Sequence, residues 1–198
     1  MAITHYEVDK SKIENIIQSG EFESFKVNME QELNIKDMEY EICIGDIATN
    51  EDGYKQENVG ARTKFSDDWS KVETVTFFTT GIKNEIGHRF PKVSRDKTVF
   101  DGIVKVYIKF VFLHELIHIQ QFKYKKLTKE TYENEKKIMH DKRPSEIEAN
   151  NKAKNIIKEY GSFEQQVLDY IESKKLITNN NLCETINMFT RLIEQRAK

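Results

Sequence analysis

The sequence predicts an α+β fold that is rich in helix, with a small N-terminal β-sheet packed on one long helix and more helices after it. Residues 38–48 and 72–80 carry the β-branched and aromatic side chains that strands favour. The second half of the chain places apolar residues mainly at helical spacing. The 198 residues include only 8 glycines and 2 prolines, which favours one compact domain over residues 1–198.

The elements of the first half are predicted from local patterns. Ile13, Ile16 and Ile17 lie at helical spacing within residues 10–19, and a second short helix is expected at 21–31. Residues 49–62 are polar and predict a loop, whereas residues 81–101 predict irregular structure because they contain Gly81, Gly87 and Pro91. Residues 1–100 should therefore hold helices plus a small sheet.

The second half, residues 101–198, is predicted to be helical almost throughout. A long helix should begin after Gly102 and run to about Lys125, because apolar residues are broken there only by a few polar ones. The further helices are expected at 127–141, 145–160, 162–174 and 179–196.

Composition argues against several classes of protein. With 31 basic and 33 acidic residues the net charge is −2, so no nucleic-acid partner is expected. There is no run of about 18 apolar residues, and the first ten residues lack the apolar core of a signal peptide. We therefore expect a cytoplasmic protein without membrane contact, in which Cys43 and Cys183 are free thiols.

One motif indicates a function. His114, Glu115 and His118 form an HExxH sequence inside the predicted long helix. Two histidines four residues apart lie on one face of a helix, where both imidazoles can bind one zinc ion. Glu115 would sit beside that metal and act as general base on the attacking water. The alternative is a buried helix whose histidines are satisfied by hydrogen bonds alone.

A catalytic zinc site needs a third protein ligand, and two glutamates compete for this role. Glu146 shares a helical stripe with Ala149, Asn150 and Ala153, whereas Glu148 lies roughly 200° around the same helix. We favour Glu146 and keep Glu148 as the alternative. Asn150, one turn after Glu146, is the candidate to hydrogen-bond a zinc-binding histidine.

Three further residues are weaker candidates. His140 lies six residues before Glu146 and is predicted to stabilise the transition-state oxyanion. Tyr124 and Tyr132 are alternatives for the same hydrogen bond. The competing interpretation for each is an ordinary surface or packing residue.

The segments His114-Glu115-Leu116-Ile117-His118 and Glu146-Ile147-Glu148-Ala149-Asn150 together resemble the gluzincin class of metallopeptidases. In particular they resemble the small ImmA/IrrE-like bacterial and phage peptidases, over about residues 110–155. The resemblance implies a zincin-like fold with one zinc per chain, bound by His114, His118 and Glu146. It also implies Glu115 as general base and Asn150 as a residue supporting the ligands. Ile117 departs from the family pattern, which often has glycine there.

The sequence therefore predicts a zinc metallopeptidase, most simply an endopeptidase acting on a peptide or protein. A regulatory or interaction protein on the same scaffold, with weak or no proteolysis, is the main alternative. A hydrolase acting on a non-peptide amide is a third hypothesis. The strand at 72–80 is also expected to offer a free edge on which an extended peptide substrate adds as a further strand.

Overall fold

The computed structural model describes residues 6–90, 93, 96–172, 177 and 181–196. Within these ranges the chain forms a mixed α+β fold, as predicted. The helices are α1 Lys10–Ile17, α2 Gly20–Glu32, α3 Thr79–Arg89, α4 Lys97–Lys123, α5 Lys129–Glu135, α6 Pro144–Glu159, α7 Ser162–Glu172 and α8 Leu182–Arg196. The strands are β1 Glu41–Gly45, β2 Ala48–Thr49, β3 Lys55–Gln56, β4 Ala61–Phe65 and β5 Val72–Phe78.

The main sheet has three strands in the order β1-β5-β4. β5 pairs with β1 in parallel and with β4 in antiparallel orientation, and β2 and β3 form a separate two-stranded hairpin. The predicted strand at 72–80 is therefore the centre of the sheet, and its last two residues, Thr79 and Thr80, already belong to α3. The prediction that this strand presents a free edge is wrong, because both of its sides are paired.

Helix α4 is the centre of the core. It contacts β4 and β5 of the sheet as well as α2, α3, α6, α7 and α8. Phe112 is fully buried on this helix and packs against Phe22 of α2 and Phe77 of β5, with ring centroids 5.0 and 6.0 Å away. Side chains on nearly every face of the helix are apolar because nearly every face has a neighbour.

Two lysines interrupt this apolar helix, and the structure pairs both with one carboxylate. Lys109 is 7% exposed and its Nζ lies 2.7 Å from Glu21 Oε1. Lys105 reaches the other oxygen of Glu21 at 2.9 Å. A buried ammonium group without a partner would be costly, so Glu21 makes this position of α4 compatible with burial.

The prediction of irregular structure at residues 81–101 is wrong. Most of the residues that the structure describes in this range are helical. Residues up to Arg89 belong to α3, and α4 begins at Lys97 rather than after Gly102. Pro91 lies outside the described residues. The glycines suggested a break, but Ile82 and Ile86 are one helical turn apart and fully or nearly fully buried, so packing outweighs the propensity cost.

The predicted loop at 49–62 contains the β2–β3 hairpin and the start of β4, a strand that the prediction missed. The sequence does carry the alternation that indicates a strand here, since Ala61, Thr63 and Phe65 alternate with two basic residues. The helix predicted at 127–141 covers only Lys129–Glu135, and a single 3-10 turn follows at His140–Lys142. The helices expected at 145–160, 162–174 and 179–196 are confirmed within the described residues.

No helix among the described residues combines the length and apolar character needed to cross a membrane.

Candidate metal centre

Three predicted ligands meet at one point. Helix α4 carries His114 and His118 one turn apart, and the first turn of α6 carries Glu146. The two Nε2 atoms are 3.0 Å apart, and Glu146 Oε2 lies 3.1 Å from His114 Nε2 and 3.5 Å from His118 Nε2. Ala149 and Ala153, both fully buried, allow α6 to pack closely on α4. The structure thus selects Glu146 rather than Glu148 for this cluster.

The spacing and the chemistry of this triangle fit a tetrahedral zinc ion. Donor atoms about 2.0–2.1 Å from one such ion are separated from each other by about 3.3 Å, close to the three distances here. Glu146 Oε2 is buried and accepts no hydrogen bond from any described residue, although it faces two imidazoles. A buried carboxylate oxygen without a donor is costly unless a cation compensates it. Two imidazoles and one carboxylate are therefore a fitting donor set for zinc.

The electrostatics of the cluster favour positive charge. Burial would raise the pKa of Glu146, but contacts with His114, His118 and His140 outweigh it and hold that pKa well below its usual range. Burial would lower the pKa of His118, but Glu146 and Glu115 outweigh it and raise the pKa to about 9. Both shifts favour a proton on His118 next to an ionised carboxylate of Glu146. A divalent cation would compete for the same place.

Glu115, the predicted general base, is buried and held by the sheet. Thr63 of β4 donates its backbone N–H to Glu115 Oε2 at 2.6 Å and its hydroxyl to the same oxygen at 2.9 Å. No hydrogen bond from a described residue reaches Oε1. The carboxylate is thus anchored through one oxygen, which leaves the other for a water molecule. The sequence pattern alone did not identify Thr63 as the residue that holds Glu115.

Glu148, the alternative ligand, faces away from the cluster. Its carboxylate accepts a hydrogen bond from Lys126 Nζ at 2.8 Å and one from Gln121 Nε2 at 3.2 Å. The ammonium group of Lys126 lowers the pKa of Glu148, although burial opposes this. This placement follows from the 200° separation around α6 that the sequence predicted.

Gln121 contacts His118 in the way that was expected of Asn150. Its Oε1 lies 2.9 Å from His118 Nδ1, the ring nitrogen that does not face the cluster. Asn150 lies on α6 one helical turn after Glu146, but no described hydrogen bond joins it to either histidine. The spacing from His118 to Gln121 is three residues, so the helical neighbour rule that paired the histidines would also have found this contact.

His140 lies beside the cluster, as the prediction requires. Its Nε2 is 3.2 Å from Glu146 Oε1, while its side chain is 69% exposed. It therefore contacts the ligand from the solvent side. The tyrosines are placed differently: the hydroxyl of Tyr124 accepts a hydrogen bond from Asn34, and the ring of Tyr132 packs against Trp69 with centroids 5.2 Å apart. No described hydrogen bond takes either hydroxyl to the cluster.

β4 is one of the two edge strands of the sheet, β1 being the other, and it contacts the candidate site through Thr63. Gly60, directly before β4, accepts a hydrogen bond from the backbone N–H of Phe78 on β5. The backbone groups of the odd-numbered residues at the start of β4, Ala61 and Thr63, therefore point away from β5. The Thr63 N–H, which reaches Glu115, has this outward direction. Ala61, two residues before, shares it because strands repeat every two residues, whereas a register shift between Lys64 and Phe65 interrupts the repeat after Thr63.

Comparison with known proteins gives no family: no family model, no curated protein and no solved structure matches this chain.

Proposed function

We propose that this protein is a zinc-dependent metallopeptidase. The observation that supports this most strongly is the convergence of His114 Nε2, His118 Nε2 and the buried Glu146 Oε2 within 3.5 Å of one another. A second carboxylate, Glu115, follows the first ligand directly in sequence. A purely structural zinc site closes its fourth position with a protein ligand, whereas three ligands plus a neighbouring base are typical of a catalytic site.

The roles of the residues follow from their positions. Zinc held by the three ligands would polarise the scissile carbonyl and acidify the attacking water. Glu115 takes the proton of that water through Oε1 and delivers it to the leaving amine, while Thr63 holds Oε2 in place. His140, exposed and next to Glu146, is suited to donate a hydrogen bond to the developing oxyanion.

The gluzincin resemblance supports this proposal, and the order of elements is compatible with a zincin-like plan. A small sheet precedes the HExxH helix, and the helix with the third ligand follows it. We assign the chain to this class by the chemistry of its site, as a single zincin-like domain that works in the cytoplasm. Fold alone would not justify the activity, because one scaffold serves many functions.

The substrate we propose is an extended peptide. Main-chain groups of Ala61 lie on the outer edge of β4, two residues before Thr63, which anchors Glu115. An extended peptide that paired with this edge would pass beside the catalytic base. In this proposal the peptide pairs with β4, and not with the strand at 72–80 as the sequence predicted.

The test begins with bound metal. Elemental analysis of protein purified without chelator or added zinc should give about one zinc per chain. Glu115→Gln should retain that zinc and lose peptide hydrolysis, whereas His114→Ala should lose the zinc. Hydrolysis by Glu115→Gln at the wild-type rate would exclude the mechanism.

The same experiments decide between the competing functions. One zinc per chain with no hydrolysis of any peptide, together with a partner complex that Glu115→Gln leaves intact, would favour a regulatory protein. Hydrolysis confined to non-peptide amides would favour the third hypothesis. Protein that contains no metal and takes up none at neutral pH would reject the metal-dependent interpretations.

A further inference from the structure

Gln121 is a buried polar residue in the core of this fold, and the hydrolysis outlined above does not use it directly. It lies on α4, three residues after His118, and is 2% exposed. Its amide contacts three groups: His118 Nδ1 at 2.9 Å, the carbonyl oxygen of Ser145 at 3.0 Å and Glu148 Oε2 at 3.2 Å. Such a complete set of partners is what a buried amide requires.

These contacts fix the direction of the amide. The backbone carbonyl of Ser145 can only accept hydrogen bonds. The same is true of the carboxylate of Glu148, which is paired with Lys126 at 2.8 Å. The amide nitrogen must face these two acceptors, so the amide oxygen faces His118. Neutral His118 must then carry its hydrogen on Nδ1. Its Nε2 presents a lone pair toward His114 and Glu146.

The same amide also fixes the start of α6. Ser145 comes directly before Glu146, and its carbonyl oxygen accepts from Gln121. Glu135 of α5 holds the other side of Ser145 by accepting hydrogen bonds from its backbone N–H, at 3.3 Å, and from its hydroxyl. The turn that carries the third ligand is thus tied to α4 by Gln121 and to α5 by Glu135.

We propose that Gln121 is a positioning residue that couples two metal ligands through one side chain. It holds His118 in the tautomer that binds through Nε2, and it holds the first turn of α6 where Glu146 completes the cluster. The inference rests on the proposed function only in that zinc occupies this cluster. Partners of ligating histidines typically change metal affinity by about 10–100-fold when removed.

Zinc affinity tests this directly, measured by competition with a chromophoric chelator. Gln121→Leu keeps the size of the side chain but loses all three contacts, and it should weaken zinc binding about 10–100-fold. Gln120→Leu is the matched control. Gln120 is the adjacent residue on α4; it donates to the carbonyl of Leu33 and accepts from Lys152 of α6, both at 2.7 Å, but no described contact joins it to the three candidate ligands. It should stay within about threefold of wild type, as expected away from the ligands.

A double variant separates positioning from mere filling of space. Gln121→Glu with Glu148→Gln exchanges amide and carboxylate, so residue 121 still accepts from His118 Nδ1 and residue 148 supplies a donor, but the carbonyl of Ser145 loses its donor. This pair should restore the bond to His118 and recover only part of the affinity that Gln121→Leu loses. Circular dichroism and thermal unfolding of the zinc-free proteins establish that each variant folds.

NMR of the zinc-loaded proteins gives a signal that a merely structural role would not change. The Nδ1 proton of His118 should exchange slowly in wild type and in Gln120→Leu, and rapidly in Gln121→Leu. Equal zinc affinity of Gln121→Leu and wild type, or an unchanged Nδ1 proton, would overturn the role of Gln121 while leaving the peptidase proposal intact. A wild-type protein that binds no zinc would overturn both.

Discussion

Thr63 donates two hydrogen bonds to a single oxygen of Glu115, across 52 positions of sequence. This contact joins the outer strand of the sheet to the helix that carries both histidines. The backbone N–H is available because β4 is an edge strand, and in a central strand it would be used by the neighbouring strand. The orientation of the candidate general base therefore depends on the strand order of the sheet.

Removing the Thr63 hydroxyl should affect catalysis and not metal binding. Thr63→Val keeps the backbone N–H and the shape of the side chain but loses one hydrogen bond to the carboxylate. Such a bond to a charged group contributes about 1.5 kcal/mol or more, which corresponds to roughly a tenfold lower kcat. Steady-state hydrolysis of a peptide substrate and zinc stoichiometry are the measurements.

The control for this variant is Thr76→Val on β5, whose hydroxyl lies 3.3 Å from that of Thr74 and does not contact Glu115. It should retain the wild-type kcat. Equal losses in the two variants would show that the hydroxyl matters for the sheet rather than for Glu115.

Glu146 and Glu148 should differ sharply as metal ligands. Glu146→Gln replaces the buried carboxylate of the cluster by a neutral amide, and we expect zinc affinity to fall by at least about 100-fold. Glu148→Gln changes an exposed carboxylate on the same helix and should cost less than about tenfold, through its contact with Gln121. Chelator competition measures both. A larger effect at residue 148 would assign the third ligand to it.

Two glycines of α3 provide a test of the fold in the region that the sequence mispredicted. A Cβ on Gly81 would lie 1.9 Å from the carbonyl oxygen of Val59, which is backbone and cannot move aside cheaply. Gly81→Ala should therefore destabilise the protein by about 1–3 kcal/mol or more. Urea unfolding measures the change.

Gly87 is the matched position on the same helix, because a Cβ there meets nothing within 4 Å. Gly87→Ala should be neutral or stabilise by up to about 1 kcal/mol, since alanine favours a helix interior over glycine. Equal destabilisation at both sites would contradict the packing of α3 against the segment before β4.

Glu21 should contribute to the pH dependence of stability. Burial would raise its pKa, but the ammonium groups of Lys105 and Lys109 outweigh this and lower the pKa to about 2 from 4.5. A folded-state pKa below the unfolded value stabilises the protein above pH 4.5, and this contribution disappears as the pH falls from 4.5 to 2. Glu21→Gln should thus be less stable than wild type at pH 7 and equal to it near pH 2.

The size of this effect should stay below about 1 kcal/mol, because Glu21 is partly exposed and solvent screens the pairs. Thermal unfolding at several pH values is the measurement. Glu23→Gln removes an exposed carboxylate from the same helix and serves as the control. A difference between wild type and Glu21→Gln that is independent of pH would contradict the assigned cause.

Helical periodicity accounts for what the sequence predicted about the site. His114 and His118 share a face because they are four residues apart, and Glu146 rather than Glu148 joins them because the two glutamates point to different sides of α6. Pro144 begins that helix, as a proline in the first turn predicts. Each spacing lies within one or two turns of one helix, whereas the contact between Glu146 and the histidines depends on the packing of α6 on α4.

The sequence by itself therefore predicted the HExxH helix, the two candidate glutamates on a later helix and the α+β class, since these follow from residue patterns along the chain. Only the tertiary structure decided the strand order, the anchoring of Glu115 by Thr63 and the bond from Gln121 to Ser145. These contacts join segments 24 to 52 residues apart. Strand pairing and helix packing are set by the burial of whole faces against one another, and no local pattern contains that information.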